Sequence, residues 1–156
     1  MKALKTFGII LLCLCWLASL LYFAVSLASV KNGLVVQDGI TYFYENNVML
    51  TGLQNVNGTT YYFSVKDGHM MKDGWVTADD GQKYYLNGDG HVMKGGRLTA
   101  DGETYYVDKN GAMVTGFVTM GDKTYYFAPS TGAMMKSASV TVDGVVYTAD
   151  ADGVIS

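Results

Sequence analysis

Short runs of alternating apolar and polar residues, separated by turns rich in glycine and aspartate, occupy the chain from residue 33 to residue 156. Residues 103–107 read Glu-Thr-Tyr-Tyr-Val, in which aromatic and β-branched side chains favour a strand. Residues 108–111 suit a type I turn because they begin with Asp and end with Gly, and residues 112–114 can return as the partner strand. No helical periodicity appears after residue 30, so the pattern predicts an all-β chain of short hairpins.

A long uncharged segment precedes these strands. Two lysines stand ahead of residues 7–28, whose 22 residues are enough for an apolar helix to cross a hydrocarbon core of about 30 Å. Small residues before a possible cut after Ala28 also fit a secretory signal, so residues 1–28 are predicted to be either a signal peptide or a membrane anchor. Both alternatives place the remainder outside the cytoplasm, secreted or at the cell surface.

An aromatic pair recurs with a period of about 20 residues, which is the strongest signal in the sequence. The pairs are Tyr42-Phe43, Tyr61-Tyr62, Tyr84-Tyr85, Tyr105-Tyr106, Tyr125-Tyr126 and a weaker Val146-Tyr147. The methionines predicted to share one core position of the repeat are Met49, Met71, Met93, Met113 and Met135. An isolated hairpin is only marginally stable, so the repeats over residues 33–156 are predicted to stack as a solenoid of about five hairpins with half a unit at each end.

Neighbouring side chains of a strand point to opposite faces, so the two tyrosines of a pair cannot face the same way. One tyrosine of each pair is therefore predicted to pack inside. The other is predicted to lie on a more exposed face or at the seam between repeats, where a ligand could reach it.

Two stretches carry a family resemblance. Residues 51–63 read TGLQNVNGTTYYF, and residues 115–118 read TGFV ahead of TYYF at residues 124–127. They resemble the cell-wall-binding repeat superfamily, which includes the choline-binding repeats of Gram-positive surface proteins, the glucan-binding repeats of streptococcal glucosyltransferases and the carbohydrate-binding repeats of large clostridial toxins. The resemblance covers about residues 33–156 and implies a solenoid of β-hairpins with ligand pockets at the seams between consecutive repeats.

The resemblance to the choline-binding members is incomplete at the positions that form their aromatic cage. Those members carry a Gly-Trp near the end of each repeat and a further Trp before the tyrosine pair, and the rings attract a trimethylammonium group. Here the Gly-Trp position holds Leu53, Trp75, Arg97, Phe117 and Ala138, and the position before the pair holds Thr60, Lys83, Thr104 and Thr124. The pattern is closer to that of the glucan-binding and toxin-type repeats, in which an aromatic platform meets the apolar face of a sugar ring.

Trp75 marks the best predicted ligand pocket, at a seam that Tyr84, Tyr85 and Met93 are expected to line. A purely structural role for Trp75, covering the junction between two repeats, is an equal alternative. A second, weaker ligand-binding candidate consists of Phe117, Tyr125 and Tyr126.

Charge and motif content argue against several other functions. Without the two lysines that precede the apolar segment, the chain has nine basic and 14 acidic residues and no basic cluster, so nucleic acid is not an expected partner. No catalytic motif or cofactor motif is found, and both cysteines lie within residues 1–28. His69 and His91 hold equivalent places without a third ligand, so no metal site is predicted there. Residues 108–111 and 150–153 are interpreted as turns rather than calcium loops.

Three functions stay open on these grounds. The first is a noncatalytic module that binds cell-wall or extracellular polysaccharide, and the second is choline-dependent binding of teichoic acid. The third is a structural or adhesive surface stalk without small-ligand sites. Contact with a membrane is expected only through residues 1–28, if they are not cleaved.

Overall fold

The computed structural model describes residues 30–156, and all regular secondary structure in that range is β. Residues 1–28, the predicted signal peptide or anchor, lie outside the described residues. No helix of the described part is long and apolar enough to cross a membrane. The strands are β1 (Gly33–Gln37), β2 (Ile40–Glu45), β3 (Val48–Leu50), β4 (Gly52–Val56), β5 (Thr59–Phe63), β6 (Gly74–Thr77), β7 (Lys83–Leu86), β8 (Gly96–Ala100), β9 (Glu103–Val107), β10 (Met113–Val114), β11 (Gly116–Met120), β12 (Lys123–Phe127), β13 (Ala138–Val142) and β14 (Val145–Ala149).

Antiparallel hairpins of consecutive strands are the repeating unit. They are β1–β2, β4–β5, β6–β7, β8–β9, β11–β12 and β13–β14, and a third strand extends the first and the fourth of them. Four of these hairpins close through an Asx-Gly dipeptide in which both residues have positive φ, as at Asp101 (53°) and Gly102 (79°). This is a two-residue type I′ turn, whose twist matches that of the flanking strands. Residues 30–156 therefore contain six hairpins, where five with terminal half units were predicted.

The tyrosine strand pairs mainly with the strand that precedes it, which corrects the predicted hairpin. β9 pairs with β8 along five residues, whereas it pairs with β10 along only two. The predicted turn after the tyrosine pair exists, since the Gly111 N–H donates to the Asp108 carbonyl over 3.0 Å. The earlier partner dominates because the type I′ turn holds two five-residue strands in register, while the later turn leads into a strand of two residues.

The most deeply buried core position is the residue that follows an aromatic pair. Phe63, Leu86, Val107 and Phe127 hold this position and are no more than 2% exposed, as is Ala149, which follows Tyr147-Thr148 in the last repeat. This position lies opposite the small residue that begins the preceding strand, which is a glycine in the first four of these repeats. The sequence analysis missed this position because its side chain varies from aromatic to alanine.

The prediction that one tyrosine of each pair packs inside holds for some repeats only. Tyr62 is buried and Tyr61 is half-buried, as expected. In the pair at residues 125–126 both tyrosines are buried. Arg97 lies over one of these rings and Phe117 packs against the other, so both faces of the strand are covered.

The last repeat is shifted by one residue from the predicted alignment. The pairing of β13 with β14 gives Tyr147 the place of the first tyrosine of a pair, whereas the sequence comparison gave it the second. The same register matches Ser139, and not Ala138, with Trp75. The link before β13 is as long as those before β6 and β8, so Ser137 (φ 47°) holds the place of Asp73 (φ 52°) and Gly95 (φ 66°), and the sequence comparison placed Ser137 one residue too late.

The single methionine position of the sequence analysis is in fact two positions. The first is held by Met49, Met70, Val92, Met113 and Met134. The second follows directly and includes Met71, Met93 and Met135, whose N–H groups donate over 2.8–2.9 Å to the carbonyl of the second aromatic residue of the preceding strand. The sequence comparison merged the two because the links that follow them differ in length.

Side chains at the first of these positions pack on the turn glycine of the next repeat. A β-carbon at Gly132 would collide with the side chain of Met113, and one at Gly111 would lie 2.9 Å from the Met93 carbonyl oxygen. Backbone hydrogen bonds join the same repeats over 2.7–2.8 Å, from Met70 to Thr41, Val92 to Thr60, Met134 to Thr104 and Ile155 to Thr124. Neighbouring repeats are thus joined by both backbone and side chains.

Gly111→Ala tests the importance of this packing, with Gly102→Ala as its matched control. Both glycines have positive φ, but only Gly111 contacts the preceding repeat. We expect G102A to lower the free energy of unfolding by about 1 kcal/mol through backbone strain. G111A should lower it by at least about 2 kcal/mol more, because the neighbouring backbone must also move. Urea unfolding of the full chain, followed by circular dichroism, measures both; equal losses would contradict the packing argument.

Candidate functional site

Three side chains meet at the seam between two consecutive hairpins. The first, called the central residue, is the second residue of the strand that begins the hairpin. The second is the residue of the aromatic pair that lies directly opposite it on the partner strand. The third is the first tyrosine of the next hairpin. At the seam after β6–β7 these are Trp75, Tyr85 and Tyr105. The Trp75 ring lies edge-to-face with both tyrosines, with centroids 5.2 Å from Tyr85 and 4.9 Å from Tyr105.

The same arrangement recurs around Phe117. Its ring centroid lies 4.8 Å from that of Tyr126 and 4.7 Å from that of Tyr147, and both pairs are edge-to-face at 63°. Phe117 is 41% exposed. A large part of this ring is therefore accessible to a ligand, while the two tyrosines fix its position.

Other seams lack an aromatic ring at the central position. Leu53 packs against the cluster that contains Tyr62 and Tyr84. Arg97 holds the central position of the β8–β9 hairpin, and its guanidinium carbon lies 5.2 Å from the centroid of the Tyr125 ring. The seams therefore share one geometry but differ in chemistry, being aliphatic, aromatic or cationic.

Tyr85 joins Trp75 as predicted, but Tyr84 does not. Tyr84 is 7% exposed and lies on the opposite face of β7. Its hydroxyl donates to the Asp80 carboxylate over 2.7 Å, and burial together with this hydrogen bond raises the pKa of Tyr84 to about 12. Met93 is 38% exposed, and its N–H donates to the Tyr85 carbonyl over 2.9 Å. Tyr84 is thus a core residue.

Tyr126 joins Phe117 as predicted, whereas Tyr125 lies under Arg97 at a different seam. The sequence analysis missed Tyr105 and Tyr147, each of which comes from the following hairpin. The cross-strand partner of each central residue could have been found from the Asx-Gly turn, because a two-residue turn fixes the register. The third residue depends on how hairpins stack, and no local pattern encodes that.

Trp75 belongs to the core as well as to the seam. Together with its two tyrosine partners it packs against a buried cluster of Leu98, Ala100 and Val107. Its indole N–H is buried and has no hydrogen-bond acceptor in the described part of the protein. An unpaired buried donor costs about 1–3 kcal/mol, so packing of the ring must offset this cost. The structural role that the sequence left open is therefore present, and it does not conflict with a ligand on the exposed side.

Two of the positions before an aromatic pair make a polar side-chain contact between repeats. The Lys94 ammonium donates to the Thr60 hydroxyl over 2.8 Å, and the Lys136 ammonium donates to the Thr104 hydroxyl over 3.4 Å. At both positions a threonine stands where the resemblance to the choline-binding members implies a further tryptophan.

The histidines and the acidic turn at Asp108 have polar partners within the protein. His69 Nδ1 lies 2.6 Å from the Asp67 carboxylate, and His91 Nε2 lies 3.4 Å from the Tyr61 hydroxyl. The Asp108 carboxylate accepts two backbone N–H groups of its own turn at 2.8 and 2.9 Å. Within residues 30–156, no three His, Cys, Asp or Glu side chains are grouped as metal ligands would be.

Comparison with known proteins identifies the repeats. The Choline-binding repeat family matches residues 50–90 and 74–116, and the cell wall binding repeat family matches residues 115–134. The chain belongs to the cell-wall-binding repeat superfamily. Glucosyltransferase-S of Streptococcus mutans is 36% identical to this cell-wall-binding repeat protein over 72 residues, which are 45% of the chain and 5% of that enzyme.

Solved structures of cell-wall-binding repeat proteins are similar in fold. Choline binding protein F from Streptococcus pneumoniae superposes with a TM-score of 0.69 and 31% identity, over 82% of this chain and 43% of that protein. Its structure in the presence of a peptidoglycan analogue, a tetrasaccharide-pentapeptide, gives a TM-score of 0.67 and 32% identity over 81% and 41% of the two chains. The chain thus spans less than half of this relative.

Tyr84→Phe tests the assignment of Tyr84 to the core. The Tyr84 hydroxyl has an ordinary pKa of 10.0 and a pKa of about 12 in the folded protein, so its stabilising contribution is complete below pH 10 and is lost as the pH rises to about 12. Between about pH 9 and pH 11 the Tm of Y84F should therefore fall less than that of the wild type. Thermal unfolding at both pH values measures this, and equal slopes would contradict the assignment.

Proposed function

We propose that residues 33–156 form a noncatalytic module that binds cell-wall or extracellular polysaccharide through the seams between repeats. The observation that carries the proposal is the Phe117 seam, where an accessible ring is fixed between Tyr126 and Tyr147. An aromatic face of this kind packs against the apolar face of a sugar ring, and nearby polar groups bond its hydroxyls. The relationship to Glucosyltransferase-S and to a protein solved with a peptidoglycan analogue supports the same ligand class.

The repeats of this module stack as a solenoid in our proposal. Support comes from the regular hydrogen bonds between consecutive repeats and from the packing of one repeat on the turn glycine of the next. A solenoid sets its seams side by side, so one long polymer can occupy several of them. Binding at each seam can then be weak, because occupation of the first raises the effective concentration at the others.

The proposed activity is binding without catalysis. The adjacent acids Asp79 and Asp80 follow β6 in a turn, and the Asp80 carboxylate accepts hydrogen bonds from the Tyr84 hydroxyl and the Gln82 N–H. These bonds, the Tyr84 bond first, lower the pKa of Asp80. A general acid of a glycosidase requires the opposite shift, since it must hold its proton near neutral pH. Asp80 therefore serves the fold.

Choline-dependent binding of teichoic acid is a second candidate, and the Trp75 seam is the observation that favours it. Trp75, Tyr85 and Tyr105 bring three rings together in a chain that matches the Choline-binding repeat family. Trp75 contacts both tyrosines edge-to-face, however, so the rings cover part of one another's surface. The cationic Arg97 at the next seam also opposes a cationic ligand. We therefore rank this candidate below polysaccharide binding.

The module acts outside the cytoplasm in this proposal, as cell wall binding repeats do. Residues 1–28 are the segment that would export it, either as a cleaved signal or as a retained anchor. Intact-mass measurement of the exported protein distinguishes the two. A mass that includes residues 1–28 would make the module membrane-tethered.

Phe117→Leu tests the proposed sugar platform. Leucine preserves apolar packing between Tyr126 and Tyr147 but lacks a π face, so retention on dextran and on purified Gram-positive walls should fall by about tenfold. Affinity electrophoresis in the presence of the polysaccharide measures the change with the full chain. Val146→Ala is the matched control, because Val146 is 65% exposed on the neighbouring strand and should be neutral for retention.

Three outcomes distinguish the candidate functions. Unchanged retention of a folded F117L protein contradicts the Phe117 platform. Release of the wild type from walls by free choline favours the choline-dependent candidate. A folded wild type that binds neither glycans nor walls supports a structural or adhesive stalk without small-ligand sites.

A further inference from the structure

A groove of about 500 Å³ at the Arg97 seam collects positive charge in a protein that is otherwise acidic. Its lining includes Arg97, Thr104, Lys123 and Lys136, with Asp152 as the one carboxylate among the residues that line it. The three basic residues come from consecutive repeats, namely from β8, from β12 and from the link before β13. The groove is therefore created by the stacking of repeats and cannot be recognised from any single repeat.

These cations are not neutralised by the protein. The single ion pair within the described part of the chain joins His69 to Asp67, far along the sequence from the groove, so none of the three has a carboxylate within 4 Å. The Lys136 ammonium donates to the neutral Thr104 hydroxyl over 3.4 Å, and Arg97 lies over the neutral Tyr125 ring. Counting Asp152, the lining carries two more positive than negative charges.

Arg97 stands where the neighbouring seams carry Trp75 and Phe117. Its guanidinium covers the Tyr125 ring at 5.2 Å and so closes that ring to another cation or to a sugar face. A guanidinium that lies over a ring still has N–H donors free to bind an anion, in a fork that fits two oxygens of one anionic group. The substitution thus changes this seam from an aromatic surface into an anion-binding one.

We propose that this groove binds the oxyanion groups of an anionic cell-envelope polymer, with Arg97, Lys123 and Lys136 as the binding cations. The inference rests on the proposed function, since it assigns a charged part of the same ligand to one seam. Phosphodiester and carboxylate groups share the required chemistry. Asp152 opposes the ligand and limits its affinity.

Titration of the full chain with three polymers tests the groove: poly(glycerol phosphate), polygalacturonate and neutral dextran. Arg97→Gln and Lys123→Gln should each weaken binding of an anionic polymer by about five- to tenfold at low ionic strength. Lys109→Gln is the matched control, because it removes the same charge from an exposed turn that does not line the groove, and it should change affinity less than about twofold. Asp152→Asn should strengthen binding. Dextran retention should be equal in all variants, which separates this site from the Phe117 platform.

The outcomes separate this inference from the proposed function. Losses in R97Q and K123Q that K109Q does not share support the groove, and the polymer that binds more tightly identifies the oxyanion as phosphate or carboxylate. Equal losses in all three variants overturn it, because net charge alone then explains the binding. Binding of dextran but of neither anionic polymer overturns the groove and leaves the polysaccharide module intact. If a folded protein binds no polymer at all, both proposals fail.

Discussion

The described structure depends on the close approach of one repeat to the turn glycine of the next. An apolar side chain such as Met113 lies where a β-carbon of Gly132 would be, and the same contact recurs between the other repeats. A hairpin alone buries too little surface to be stable, so the hairpins must share their cores across these contacts. Methionine suits this position because its flexible side chain adapts to links of different length. The glycine is required twice, once for the positive φ of the turn and once for the space that its neighbour occupies.

Turns and strands of this protein could be predicted from sequence, but the pairing of strands could not. Asx-Gly dipeptides and aromatic pairs are local signals, and they predicted an all-β repeat. The tyrosine strand has apolar segments on both sides, however, and each is a plausible partner by composition. The structure favours the preceding segment because the two-residue turn at Asp101-Gly102 fixes a longer ladder. Tyr147 was misplaced by one residue because Thr148 stands in the place of the second tyrosine of the pair, and a shift of one residue moves every side chain to the other face.

About half of the residues of the candidate site could be predicted from the sequence. Trp75 with Tyr85, and Phe117 with Tyr126, were grouped because they are close in sequence, although the hairpin pairing that joins them was not predicted. Tyr105 and Tyr147 come from the following hairpin, and their approach depends on the stacking of repeats. Tyr84 was assigned to the site because adjacent tyrosines look alike in a sequence, although the alternation of a strand sends them to opposite faces. Which tyrosine of a pair is buried depends on how the neighbouring repeats pack, and the local sequence does not encode this.

The division of each hairpin into two faces explains how the seams can vary while the scaffold stays constant. One face carries the residue after the aromatic pair, which is buried in every repeat from Phe63 to Ala149 and cannot change its character freely. The other face carries the central seam residue, which is Leu53, Trp75, Arg97 or Phe117. The hairpins that carry Leu53, Arg97 and Phe117 keep the same strand register, so the chemistry offered to a ligand differs while the backbone ladder is the same. On the proposed function, a polymer is then recognised by the order of its groups along several seams, because an aromatic surface and a cationic groove lie at fixed positions in one array.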